Sequence, residues 1–89
     1  MDTNFNNTIR LSDHDNVVVA RTELEIGMLV NDSRVTITEH IGAGHKIATE
    51  VITKGSVIRK YNQVIGTASD DIQPGNHVHT HNCEMAYFE

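Results

Sequence analysis

The chain has 89 residues, which is enough for one small domain and too few for a second hydrophobic core. A chain of this size buries about 60% of its unfolded surface, and a substrate cavity of roughly 300–1,000 Å³ would consume much of such a core, which argues against a self-contained enzyme. The net charge is −5 and the seven lysines and arginines are scattered, which argues against nucleic acid as a partner.

The N-terminal residues show no targeting signal. The first seven residues contain neither the basic region nor the apolar region of a secretory signal peptide. No apolar run in the sequence approaches the ~18 residues needed to cross a bilayer.

The single cysteine, Cys83, allows neither an intramolecular disulfide nor a zinc site with several thiolates. These features predict a soluble cytoplasmic protein without a membrane partner.

Short runs rich in Val, Ile and Thr alternate with glycines, which is typical of brief β-strands joined by tight turns. The first predicted strand covers residues 15–20. Its residues 17–20 are all apolar, so both faces of the strand are apolar there. Residues 21–28 have a weak helical pattern, sufficient for one turn at most. Residues 34–40 alternate apolar and polar side chains, which predicts a strand with one buried face.

The second half of the chain continues this pattern. A strand is predicted at 45–48 after a glycine loop, and another at 57–61, followed by the apolar pair 64–65. The single proline, Pro74, forms a predicted turn with Gly75, and residues 77–82 alternate after it as in an extended strand. The sequence therefore predicts one all-β domain of short strands.

The segment 77–82, His-Val-His-Thr-His-Asn, is the sharpest local feature. On an extended strand, residues two apart share a face about 6.5–7 Å apart, so His77, His79 and His81 would project together. Neighbouring imidazoles can chelate a divalent ion or hold a carboxylate, although no Asp or Glu is adjacent and a complete metal site would need ligands from elsewhere. The alternative is a solvated strand edge whose polar groups prevent aggregation.

Two other segments carry residues suited to chemistry. The glycine loop 42–44 leads into His45 and Lys46, and such a loop can face an anion while the two side chains stabilise carboxylate charge or move a proton. The alternative there is a plain turn with an exposed lysine. Residues 13–16, Asp-His-Asp-Asn, are typical of a loop and alternatively of a cation site. No local feature activates the thiol of Cys83, and we expect it to have no function.

Several short segments occur together in an order typical of one enzyme family. They are Asp15-Asn16-Val17, Gly44-His45-Lys46-Ile47-Ala48, Lys54-Gly55, Ile58-Arg59-Lys60-Tyr61, Ile65-Gly66 and Gly75-Asn76-His77-Val78-His79-Thr80-His81-Asn82. Over about residues 9–82 the chain resembles the N-terminal domain of altronate and galactarate dehydratases, and equally the separate small subunit of sulfolactate sulfo-lyase. The resemblance implies an SAF (antifreeze-like) fold, a β-clip. Asn62 replaces the family's usual glycine, but asparagine tolerates a left-handed turn, so we expect the fold to survive.

Members of that family remove water, or sulfite in the sulfolactate case, from a 2-hydroxy acid. The resemblance implies that this chain is the small subunit or N-terminal domain of such a lyase, inactive without a large catalytic subunit. Taking a proton from the carbon beside a carboxylate creates negative charge that fixed cations must stabilise, and expelling the hydroxyl needs a general acid. From residue chemistry and the family's motif order, we expect catalytic roles for His45, Lys46 and His79, substrate binding by Asp15, Asn16 and Asn82, and metal binding by His79 and His81.

The sequence leaves several alternatives open. Altronate, galactarate and sulfolactate all present a hydroxylated carboxylate, and the groups that distinguish them would lie mainly on the large subunit. A divalent metal ion is a possible cofactor, supplied largely by the partner subunit, and a homo-oligomer is a possible assembly. Because SAF-like domains also occur as ligand-binding appendages, a non-catalytic binding or regulatory module is the alternative function. Because the chain opens on Met1 and ends without a tag, we expect a separate subunit rather than an excised domain.

Overall fold

The computed structural model describes residues 6–30 and 34–85. In that part of the chain all regular structure is β-strand, which confirms the all-β prediction. The strands are β1 (Thr8–Ile9), β2 (Val17–Ala20), β3 (Leu29–Val30), β4 (Val35–Thr36), β5 (Lys46–Ala48), β6 (Val57–Lys60), β7 (Gln63–Ala68), β8 (His77–Val78) and β9 (Cys83–Met85). No helix within these two segments is long and apolar enough to cross a bilayer.

Strand β2 lies between two hydrophobic clusters, which explains why its sequence is apolar on both faces. Because successive side chains of a strand point to opposite sides, Val17 faces one cluster while Val18 and Ala20 face the other. The first cluster also contains Ala48, Ile52, Ile58, Ala68, Ile72, Val78 and Cys83. The second also contains Leu24, Val30, Ile37, Ile41 and Ile47. The buried strand predicted at 15–20 is therefore present, beginning at Val17.

The strands form a four-stranded antiparallel sheet in the order β1-β2-β5-β8, a three-stranded sheet β6-β7-β9 and the hairpin β3-β4. In the four-stranded sheet, Lys46 of β5 lies opposite Val78 of β8, and Ile47 lies opposite His77. Since the two strands are antiparallel, the residues that precede β5 lie beside those that follow β8. This register brings the segment around residue 45 next to the segment around residue 79.

Two predicted strands are shorter than the sequence pattern suggests. The strand expected at 34–40 ends at Thr36, because the chain then turns toward Gly75, whose carbonyl accepts the N–H of Thr38 at 3.2 Å. Gly75 has a φ of 93°, and a Cβ there would collide with the carbonyl of Thr36. The strand expected at 77–82 ends at Val78, and residues 79–82 form a turn. Residues 21–28 form an irregular segment with a turn rather than a helical one.

The β6–β7 hairpin closes on a two-residue turn formed by Tyr61 and Asn62, with Lys60 paired to Gln63. Their φ angles are 60° and 58°, as in a type I′ turn, so Asn62 is accommodated as predicted. The carboxylate of the buried Asp15 accepts both backbone N–H groups of this turn, each at 2.7 Å. This contact ties the hairpin to the start of the four-stranded sheet.

Candidate functional site

Four histidines lie together at one edge of the four-stranded sheet. His45 directly precedes β5, His77 opens β8, and His79 and His81 lie in the turn that follows β8. Nδ1 of His45 lies 2.8 Å from Nε2 of His77, and the ring centroids of His45 and His79 are 4.7 Å apart. The ring of His81 lies 5.3 Å from that of His77. We call these four residues the histidine cluster.

Asn82 holds the turn that carries the histidines. Its side-chain oxygen accepts the N–H of His79 at 2.9 Å, and its side-chain nitrogen donates to the carbonyl of His77 at 2.8 Å. The rings of His77 and His79 consequently stack 5.4 Å apart although the strand has already ended. The histidines therefore lie close together, as their spacing indicates. The cause is a turn stabilised by Asn82 rather than a shared strand face.

Three of the clustered rings form a donor set for a metal ion. One ring nitrogen from each of His45, His77 and His79 lies within 4.8 Å of the other two. His81 is not part of this set, so the geometry favours His45 and His77, rather than His81, as the companions of His79. Glu39, on a loop from the β3–β4 side, accepts the backbone N–H of His77 at 2.9 Å and helps to fix its position.

The surroundings of two of these rings lower their pKa. Burial is the main cause for His77, followed by the neighbouring His45 and His81, and it outweighs the opposing effect of Glu39. The pKa of His79 is also lowered, mainly by desolvation and then by His45 and Lys46. Both shifts favour neutral imidazole near neutral pH, which is the form that ligates metal ions.

A cleft of about 250 Å³ opens beside the histidine cluster, between the four-stranded and the three-stranded sheet. We call it the lysine cleft; its lining residues are Lys46, Lys60, Ile65, His79, Thr80, Cys83 and Met85. His79 belongs to both the histidine cluster and the cleft. Lys60 was not expected here, because it comes from β6, in a different sheet, and no spacing in the sequence relates it to Lys46.

Asp15 and Asn16, predicted to bind substrate, lie away from the histidine cluster. At one end of the β2–β5 pair the backbone of Asn16 is hydrogen-bonded to that of Thr49, and at the other end the backbone of Ala20 is hydrogen-bonded to that of His45. The two sites therefore lie at opposite ends of this strand pair. Both side chains are buried against backbone. Asn16 accepts the N–H of Arg59 at 2.8 Å and donates to a carbonyl of β6 at 3.0 Å, beside the bulge in that strand.

The geometry thus gives Asp15, Asn16 and Asn82 structural contacts. Their role in substrate binding stays a prediction. The described residues contain no metal-type group that includes residues 13–16, so the loop alternative is favoured there. Cys83 is buried, and burial raises the pKa of its thiol although Lys46 opposes the shift. This environment agrees with the absence of a nucleophilic role.

Comparison with known proteins places the chain among dehydratase domains. The model of the altronate/galactarate dehydratase SAF domain family matches residues 6–86. Altronate dehydratase of Escherichia coli (strain K12) is 41% identical over 76 residues, and that of Bacillus subtilis (strain 168) is 38% identical over 76 residues. Each alignment covers 83% of this chain and 15% of the dehydratase.

A second kind of relative is much shorter. The (2R)-sulfolactate sulfo-lyase subunit alpha of Paracoccus pantotrophus is 41% identical over 54 residues, which cover 61% of this chain and 81% of that subunit. The chain therefore spans a small part of the length of the altronate dehydratases and most of the length of the sulfo-lyase subunit.

Proposed function

The chain belongs to the family of altronate/galactarate dehydratase SAF domains, and from this we propose that it acts as the small subunit or N-terminal domain of a lyase that removes water from a 2-hydroxy acid. The observation that carries the proposal is that His79 joins the histidine cluster to the lysine cleft, within the segments that resemble the family. The relationship to a separate alpha subunit supports a two-chain enzyme.

The arrangement suits an elimination beside a carboxylate. Lys46 supplies fixed positive charge to the substrate carboxylate, which stabilises the charge that develops when the neighbouring carbon loses its proton. His79 lines the cleft and is placed to exchange a proton with a substrate there, and His45, whose ring centroid lies 4.7 Å from that of His79, is the neighbouring group for a second proton transfer. One transfer is needed at the carbon and one at the departing hydroxyl. Because the cleft is smaller than a typical ligand pocket, the remaining wall and the groups that select the substrate come from a larger chain.

As an alternative to proton transfer by His45 and His79, we propose that His45, His77 and His79 contribute ligands to a divalent metal ion. Three imidazoles leave coordination positions open for substrate, water or a ligand from the partner subunit, as in catalytic sites. When bound, such an ion would act as a Lewis acid toward a substrate oxygen. The supporting observation is the mutual approach of their ring nitrogens to within 4.8 Å.

The metal proposal predicts which histidine variants lose affinity. Titration of the chain with Co²⁺, followed by visible absorption, is expected to show binding that His45→Ala, His77→Ala and His79→Ala each weaken by at least about tenfold, since each removes a ligand. His81→Ala is the matched control and is expected to change affinity little. If His81→Ala weakened binding while His45→Ala did not, the pair His79 and His81 would be the correct donor set.

The lyase proposal is tested by reconstitution. The chain is purified with and without a large lyase chain and assayed with altronate, galactarate and sulfolactate, measuring 2-oxo acid for the first two and sulfite for the third. We expect turnover of one of these acids by the two-chain complex and none by either chain alone. Turnover by the isolated small chain would contradict the two-chain assignment. A large chain that is fully active alone would favour a non-catalytic binding module.

A further inference from the structure

Two cationic side chains, those of Lys46 and Lys60, line the lysine cleft. Lys46 and Lys60 are both half-buried and come from different sheets. Within residues 6–30 and 34–85, the ion pairs join His40 to Glu23 and Glu25, and no carboxylate lies within 4.0 Å of either lysine. Among the described residues, therefore, no carboxylate forms an ion pair with either lysine of this cleft.

The rest of the cleft is suited to a short carbon chain. Ile65 and Met85 give it an apolar wall, and Thr80 is also among its lining residues. Two positive charges over an apolar wall favour a ligand that has an anionic end and an uncharged body. The volume of about 250 Å³ is enough to hold part of a small organic acid.

We propose that Lys46 and Lys60 form a clamp for an oxyanion group, carboxylate or sulfonate, of a small organic acid whose carbon chain lies against Ile65 and Met85. In this proposal Lys60 contacts the ligand, and the carbon chain of the acid points toward His79. This inference rests on the proposed function only in taking the acid to be the lyase substrate. Binding itself requires neither turnover nor the large subunit.

Binding is tested on the full-length chain with methyl groups labelled for NMR. Galactarate is the carboxylate probe, and galactitol, which has the same carbon skeleton without the charges, is the matched ligand control. We expect galactarate to shift the methyl signals of Ile65 and Met85, with affinity that falls as salt is added, because the contacts are ionic. Isethionate, a small sulfonate, distinguishes a sulfonate-binding clamp from one that accepts carboxylates alone.

The variants compare lysines inside and outside the cleft. Lys46→Gln and Lys60→Gln are each expected to weaken galactarate binding about fivefold to tenfold, because each removes one charged hydrogen-bond donor. Lys54→Gln makes the same charge change on an exposed turn outside the cleft and is expected to have no effect.

Three results would overturn the clamp. These are unshifted Ile65 and Met85 signals, equal shifts with galactitol or inorganic phosphate, and equal weakening by Lys54→Gln. Failure of the reconstituted lyase with intact binding would refute the proposed function and leave the clamp standing. Activity of the reconstituted lyase without galactarate binding in the cleft would refute the clamp and leave the proposed function standing.

Discussion

Replacing Asp15 with alanine is expected to lower the free energy of unfolding by about 3 kcal/mol, measured by urea denaturation followed by circular dichroism. The carboxylate accepts the N–H groups of Tyr61 and Asn62, each at 2.7 Å. Hydrogen bonds to charged groups contribute about 1.5–3 kcal/mol each, and the lower end applies because this turn is exposed and water can replace part of the loss. A domain of this size has a total stability of about 4–13 kcal/mol, so the effect is large.

The conformation of the turn adds to the expected loss. Tyr61 has a φ of 60°, which costs an ordinary residue roughly 1–2 kcal/mol, and the Asp15 contacts help to offset that cost. In the Asp15→Ala background, Tyr61→Gly is therefore expected to restore about 1 kcal/mol. A larger gain from Tyr61→Gly in the Asp15→Ala background than in the wild type would show that the carboxylate supports the backbone of this turn.

The control for Asp15 is its exposed neighbour Asp13. Asp13→Ala removes the same charge two residues away and is expected to change stability by less than about 0.5 kcal/mol. If Asp15→Ala were as stable as the wild type but lost galactarate binding, the predicted substrate contact would be correct and the structural role wrong. Wild-type stability with intact binding would refute both roles.

The fold could be predicted largely from side-chain type, because runs of β-branched residues between glycines have few alternatives to short strands. β2 was predictable since an apolar run on both faces requires burial on both sides, and the two clusters provide it. The strands Thr8–Ile9 and Cys83–Met85 are too short to show a period. The end of β4 at Thr36 depends on the close approach of Gly75, a tertiary contact that no local pattern encodes.

From spacing alone, the site was predictable only where its residues are neighbours in sequence, and the family resemblance was needed to add His45 and Lys46 to it. The spacing of His77, His79 and His81 indicated their proximity even though their strand ends early. Lys60 enters the site from another sheet, and Glu39 reaches His77 across 38 positions of sequence. Such contacts are fixed by how the sheets pack. For the same reason, no local pattern predicts that Asp15 anchors a hairpin 46 and 47 residues away.

His79→Ala is expected to reduce turnover by the two-chain complex at least about 100-fold, because positioned acid-base groups contribute about 10²–10⁴ in rate. His79 is exposed and shared by the histidine cluster and the lysine cleft, so its removal should affect chemistry rather than folding. The change in unfolding free energy should stay within about 0.5 kcal/mol. Steady-state kinetics should show the loss in kcat, whereas Lys60→Gln should mainly raise KM.

The matched control is His40, an exposed histidine outside the cluster whose Nε2 lies 3.8 Å from Glu23 and 3.7 Å from Glu25. His40→Ala makes the same substitution and should leave turnover unchanged. If His79→Ala and His45→Ala each left the complex fully active, the catalytic assignment would be wrong. The two variants could also weaken assembly with the large chain, measured by analytical ultracentrifugation, while turnover stays normal at a saturating concentration of that chain. The histidine cluster would then be a subunit interface. A loss of kcat in a fully assembled complex would assign these imidazoles to the chemical step, as proton-transfer groups or as ligands of a catalytic metal ion.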